Sequence, residues 1–137
     1  MNKLPEKPSD LIYTALGDLE KCETDPGYEV NMDYWHTKRG LLAPCSVCLA
    51  GSVMAKTLKM PKSKEFPEML IDEHTEMRLF ALDDFRKGWV NGGFKRLKLP
   101  LFEGAKFSRE ITPYDEDPEA FKKEMGALAY ELREAGC

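Results

Sequence analysis

No apolar run in this chain approaches the roughly 18 to 20 residues that a membrane span requires, so the sequence gives no membrane-spanning helix and no membrane partner is expected. The opening Met-Asn-Lys-Leu-Pro-Glu-Lys-Pro lacks the apolar core of a signal peptide, which makes the cytoplasm the expected location. Histidine is scarce. His36 and His74 stand alone, outside any helical His-x-x-x-His pair and away from an evident nucleophile. Glycine forms no phosphate loop, because Gly88-Trp89-Val90-Asn91-Gly92-Gly93 has neither the Gly-x-x-x-x-Gly-Lys spacing nor the Gly-x-Gly-x-x-Gly fingerprint. Repeats, low-complexity tracts and linkers are lacking too. Residues 1–137 therefore read as a single globular domain, with residues 1–8 as a flexible lead-in.

What is present fits that reading. Hydrophobic residues make up 42% of the 137 and charged residues 32%, a balance that folds rather than stays disordered. The net charge of −4 is unevenly spread. Residues 1–35 hold eight acids and three bases, and residues 36–84 hold seven of each. Residues 85–106 hold six bases and one acid, and residues 107–137 eight acids and four bases. Such asymmetry is compatible with a macromolecular partner.

The pattern predicts a mainly α fold of about four helices with a short two-stranded β element. Ser9 suits an N-cap for a helix from Asp10 to Glu23, with Ile12, Leu16, Leu19 and Cys22 on one face. Asp25-Pro26-Gly27 stops it. The alternation across Tyr28–Trp35 predicts an extended segment, with Leu97–Phe102 or Phe107–Ile111 as its partner. A second helix is predicted from Ser46 to Lys59 or Met60, and a third from Pro67 to Lys87 with Leu70, Met77, Phe80, Ala81 and Phe85 buried. Gly88 ends it, and Asn91-Gly92-Gly93 reads as a turn. The last helix has the clearest start, with Asp117 as N-cap and Pro118 at the first position. Its buried face is Phe121, Met125, Leu128, Leu132 and Ala135.

Four cysteines sit at 22, 45, 48 and 137, and free thiols fit a reducing compartment better than a disulfide framework does. Cys45-Ser46-Val47-Cys48 is a lone Cys-x-x-Cys. A redox role would need the strand–motif–helix setting of a thioredoxin-like fold, which the flanking sequence lacks. A zinc site would have to recruit Cys22 and His36, which are fourteen residues apart on dissimilar elements. The simpler reading makes Cys48 a small core residue and Cys45 a neighbour of the helix cap. Asp83-Asp84 and Asp115-Glu116-Asp117 match no calcium loop and read as solvated helix ends, and the acids around His74 read as first-turn residues that complement the helix dipole rather than as an acid–base cluster.

One segment mixes cations with aromatics around a turn: Arg86, Lys87, Trp89, Phe94, Lys95, Arg96 and Lys98. That mixture could grip phosphates and stack on unpaired bases. The alternative, favoured by the acidic overall balance, has Trp89 and Phe94 as core anchors with the cations solvated.

Tyr34-Trp35-His36, the Cys45–Ala55 run and the Tyr114-Asp115-Glu116-Asp117-Pro118 helix start together resemble small uncharacterised proteins of tailed phages and prophages. The resemblance implies an accessory protein made in the bacterial cytoplasm and carries no catalytic residue across. The expected function is thus non-enzymatic binding of a host or phage protein, without a cofactor, with Asp115, Glu116, Asp117 and Glu119 as contact acids. Nucleic-acid binding through residues 86–98 is the first alternative. A zinc- or thiol-dependent role for Cys45 and Cys48, with Cys22 and His36, is the second.

Overall fold

The computed structural model describes residues 3–38, 40–62, 71–97 and 109–137. The chain there is mainly helical, with five helices and a small three-stranded sheet. Helix α1 runs from Pro8 to Thr24. It starts two residues before the predicted Asp10, because the fixed backbone of Pro8 suits the first helical position. Ser9, predicted as the cap, is instead buried inside the first turn, and its N–H donates to the Cys137 carbonyl at 3.2 Å. The expected lead-in is pinned where it is described. Leu4 joins the core, and Arg78 donates to the Pro5 carbonyl and the Glu6 carboxylate.

The extended segment is shorter than predicted, as β1, Tyr28–Val30. Its partner is neither predicted segment, most of which falls outside the described residues. Strand β3, Cys45–Val47, lies in the centre, parallel to β1 and antiparallel to β2, His36–Lys38. Tyr28, Cys45 and Lys38 form one row across the sheet, and Val30, Val47 and His36 the opposite row. Residues 40–44 lead into β3 from the side of the first row.

Helix α2 therefore spans only Leu49–Ala55, since Ser46 and Val47 belong to the sheet. Cys48 is its N-cap, and the thiol accepts from the Gly51 N–H at 3.4 Å. Every residue of α2 is buried. Helix α3, Glu73–Arg86, is capped by Asp72, whose carboxylate accepts from the Thr75 N–H at 2.7 Å. The predicted start at Pro67 and the predicted core residue Leu70 lie outside the described residues. Gly88 ends α3 with φ +83°, and a Cβ there would meet the Ile111 carbonyl.

The predicted turn at Asn91-Gly92-Gly93 is helical. Helix α4, Val90–Arg96, carries Gly93 flat against the Phe85 ring, where a Cβ would come within 2.4 Å of a ring carbon. That close packing outweighs the weak helix propensity of two glycines. Helix α5, Pro118–Glu134, has the predicted Asp117 cap and buries Phe121, Met125, Leu128 and Leu132. Ala135, expected on that face, is its exposed C-cap. The core forms where α1 packs between α5 and α2, while α3 joins α2 to α4. A small separate cluster of Cys22, Cys45, Val47 and Ala55 sits where the sheet meets α1 and α2.

Candidate protein-docking surface

Folding divides the four candidate metal or thiol residues. Cys45 lies in β3 with its Sγ 3.7 Å from both ring nitrogens of His36, which is wholly buried and edge-on to Tyr28. Cys22 reaches the same cluster from α1. Cys48 belongs to the main core instead, where it caps α2. Among the described residues, no group of three or more His, Cys, Asp or Glu side chains is arranged to hold a metal ion. Burial pushes the Cys22 and Cys48 thiols up to about 11, so both stay protonated at neutral pH and are poor nucleophiles.

Three of the four described cations of the basic segment are paired from within. Asp83 takes Arg86 at 2.7 Å and Lys87 at 3.1 Å, and Asp84 takes Arg96 at 2.6 Å. These two acids, read from sequence as a solvated helix end, are in fact buried. Phe94 is buried edge-on against Phe85 with ring centroids 5.4 Å apart, so it presents no face to a base. Trp89 is 60% exposed, with the Lys87 ammonium 5.0 Å above its ring. Lys95 is exposed, and Lys98 lies outside the described residues.

Asp115, Glu116, Asp117 and Glu119 are all exposed where the chain enters α5. Asp117 is committed to the cap, with its carboxylate 3.1 Å from the Ala120 N–H. Just beside them, Glu23 at the end of α1 accepts from the Tyr114 hydroxyl at 2.7 Å and pairs with Lys122 at 2.6 Å. Burial, and then the hydrogen bond to Glu23, hold the Tyr114 phenol far above its usual range. The acids therefore border the last turn of α1.

The turn leaving that end of α1 supports the sheet. Asp25 pairs with Lys56 at 2.7 Å, and this contact holds the Asp25 carboxyl below its ordinary range. The Lys56 and Lys62 ammonium groups stand 4.7 and 5.0 Å from the Tyr28 ring centroid. Tyr28 shares its row of the sheet with Lys38, the last described residue before the β2–β3 connection. That connection carries Leu41 and Leu42, which are 90% and 97% exposed. Large aliphatic side chains elsewhere among the described residues are drawn into the core or packed against it. Two adjacent leucines in water at a strand connection form an apolar knob, three residues beyond Lys38 in the chain.

His74 serves a different place. It is exposed and sits 3.1 Å from Glu6, whose carboxyl is lowered first by this hydrogen bond and then by Arg78. A cleft of about 630 Å³ lies beside it, lined in part by Asp72, His74, Arg78 and Arg96. Both arginines on its wall are engaged, Arg78 by Glu6 and Arg96 by Asp84.

Comparison of the chain with protein-family models, curated proteins and solved structures found no match. The knob itself escaped the sequence reading, although a signal for it was there. From Tyr34 to Lys64 no acid occurs, while Lys38, Arg39, Lys56, Lys59, Lys62 and Lys64 do. Counting charge over residues 36–84 averaged this stretch with the acids that follow it. Among the described residues no helix is long and apolar enough to cross a membrane.

Proposed function

We propose that this protein is a non-enzymatic accessory protein, of the phage type its sequence resembles, and that it acts by binding another protein through the β2–β3 knob. The observation that carries this reading is the exposure of Leu41 and Leu42, 90% and 97%, where the other large aliphatic side chains among the described residues are buried or partly buried. Each leucine moved from water into a partner's pocket contributes roughly 1.5–3 kcal/mol, so a pair can anchor an interface. The exposed Lys38, three residues before Leu41 in the chain, favours an acidic rim around such a pocket.

Chemistry is the weaker reading. The Cys22 and Cys48 thiols are protonated, and the cations of the 86–96 segment are largely spent on Asp83 and Asp84. The test is capture from nuclease-treated bacterial lysate with tagged parent and with Leu41→Asp/Leu42→Asp. A protein retained by the parent and lost by the variant supports the reading. Equal retention by both would remove the knob from it.

A further inference from the structure

The cleft beside His74 is built by the first half of α3 with its Asp72 cap and by the last residues of α4. Its two ends differ in the charge they leave unpaired. At the α3 end, Glu6 occupies both cations, with its carboxylate 3.1 Å from His74 and 2.9 Å from Arg78. Asp72 and Glu73 line the same end and have no ion-pair partner among the described residues. The Thr75 N–H on the Asp72 carboxylate holds that acid below the usual carboxylate range, so it stays ionised.

At the α4 end, Arg96 is fixed in two ways. Its Nε donates to the buried Asp84 carboxylate at 2.6 Å, and its guanidinium carbon stands 5.4 Å from the Phe80 ring centroid. Neither contact uses the Nη groups, which have no hydrogen bond among the described residues. A guanidinium steadied by a buried acid and an aromatic ring, with both Nη groups open, suits the two oxygens of a carboxylate. Met77 and Leu97 supply apolar lining to the same cleft. Glu73 and Phe80 are seven residues apart on α3, about 10 Å along its axis.

We infer that this cleft binds an ω-amino carboxylate, a small molecule with a carboxylate and an ammonium group at opposite ends of an aliphatic chain. The carboxylate sits on the Arg96 Nη fork, the chain lies on Met77 and Leu97, and the ammonium group reaches Glu73 and Asp72. A simple anion gains from Arg96 and is repelled by the two acids. A simple cation gains from the acids and is repelled by Arg96. The volume of about 630 Å³ has room for such a ligand. The site is independent of the leucine knob.

The experiment is isothermal titration calorimetry of the purified full chain with ε-aminocaproate, with caproate and hexylamine as single-ended controls and amide NMR shifts to locate the site. ε-Aminocaproate should bind in the millimolar range or tighter, and about tenfold or more tighter than either control. It should move the amides of residues 73–78 and of Leu97. Glu73→Gln removes an exposed acid without a described partner, so the fold should stay intact. Its affinity for ε-aminocaproate should fall about tenfold, while its affinity for caproate does not fall. Arg96→Lys keeps a cation for Asp84 but offers no fork, and should weaken ε-aminocaproate and caproate alike without weakening hexylamine. Free lysine and Nα-acetyl-lysine carry the same pair of charges, and the tighter of the two tells whether a free amino acid or the C-terminal lysine of a peptide is the source. Either control binding as tightly as ε-aminocaproate overturns the inference, as does the lack of heat and shifts at millimolar ligand. Binding indifferent to both variants overturns it as well, because the ligand then sits elsewhere.

Discussion

Gly51 lies directly against the carbonyl oxygen of Trp35: a Cβ added to Gly51 would sit 1.4 Å from that atom. This contact joins α2 to the residue just before β2, and the Cys48 N–H donates to the same carbonyl at 3.4 Å. The helix cap, the strand and the close approach thus depend on one another. Gly51→Ala should destabilise the protein by about 3 kcal/mol or more, since backbone rather than a side-chain tip would have to move. Gly17 and Gly126 lie inside helices with nothing within 4 Å of an added Cβ. Alanine at either should stabilise by roughly 0.5–1 kcal/mol. Urea unfolding of the three variants checks both signs.

Asp18 gives a pH signature. It is buried on α1, where desolvation raises its pKa above the ordinary 3.8 despite the hydrogen bond donated by Thr57. The fold therefore favours the protonated acid. Its contribution is fully present below pH 3.8, is lost as pH rises through the raised folded value, and is a net cost at neutral pH. Asp18→Asn keeps an acceptor for Thr57 and removes that cost. It should raise neutral-pH stability by up to about 1 kcal/mol, with the gain shrinking toward acid. A constant gain from pH 3 to 7 in thermal unfolding would contradict this assignment.

The cysteines should separate by accessibility. Cys22, Cys45 and Cys48 are buried, and Cys137 is half-buried at the C-terminus. Burial keeps Cys22 and Cys48 protonated, so iodoacetamide at neutral pH should label Cys137 and spare the other three until denaturant is added. Peptide mapping of the labelled protein reads this out. Rapid labelling of Cys45 or Cys48 in the native protein would restore the case for thiol chemistry.

Nucleic-acid binding through residues 86–98 is expected to be absent. Asp83 is paired with Arg86 and Lys87, Asp84 with Arg96, and Phe94 packs edge-on against Phe85. Fluorescence anisotropy with labelled single strands should stay flat at low salt. Binding that falls steeply with salt and depends on Trp89 would reverse this.

Much of the architecture was legible where several local signals agreed. Asp117-Pro118 with Phe121, Met125, Leu128 and Leu132 defines α5 by cap, first-turn proline and period together, and the helix forms as patterned. The same logic misplaced the start of α2. Three residues of β3 cannot display a strand period, and Ser46-Val47 reads as the start of a helix until β1 and β2 are seen on either side. The helix at Asn91-Gly92-Gly93 was hidden for a different reason: its stability comes from Phe85 pressing on Gly93, a tertiary contact without local trace. The candidate docking surface was legible only in part. Asp115 and Glu116 are exposed as read, but the leucine knob shows as exposed only once the β2–β3 connection is placed. Asp84 looks like a solvated acid until α4 returns Arg96 to it.

The most direct test of a protein-binding knob is the comparison of parent and Leu41→Asp/Leu42→Asp in capture from nuclease-treated bacterial lysate, read by mass spectrometry, with circular dichroism to verify folding. The account predicts unchanged spectra and a protein, another species or further copies of this chain, held by the parent and lost from the variant. Identical captured proteins from two equally folded baits would contradict it.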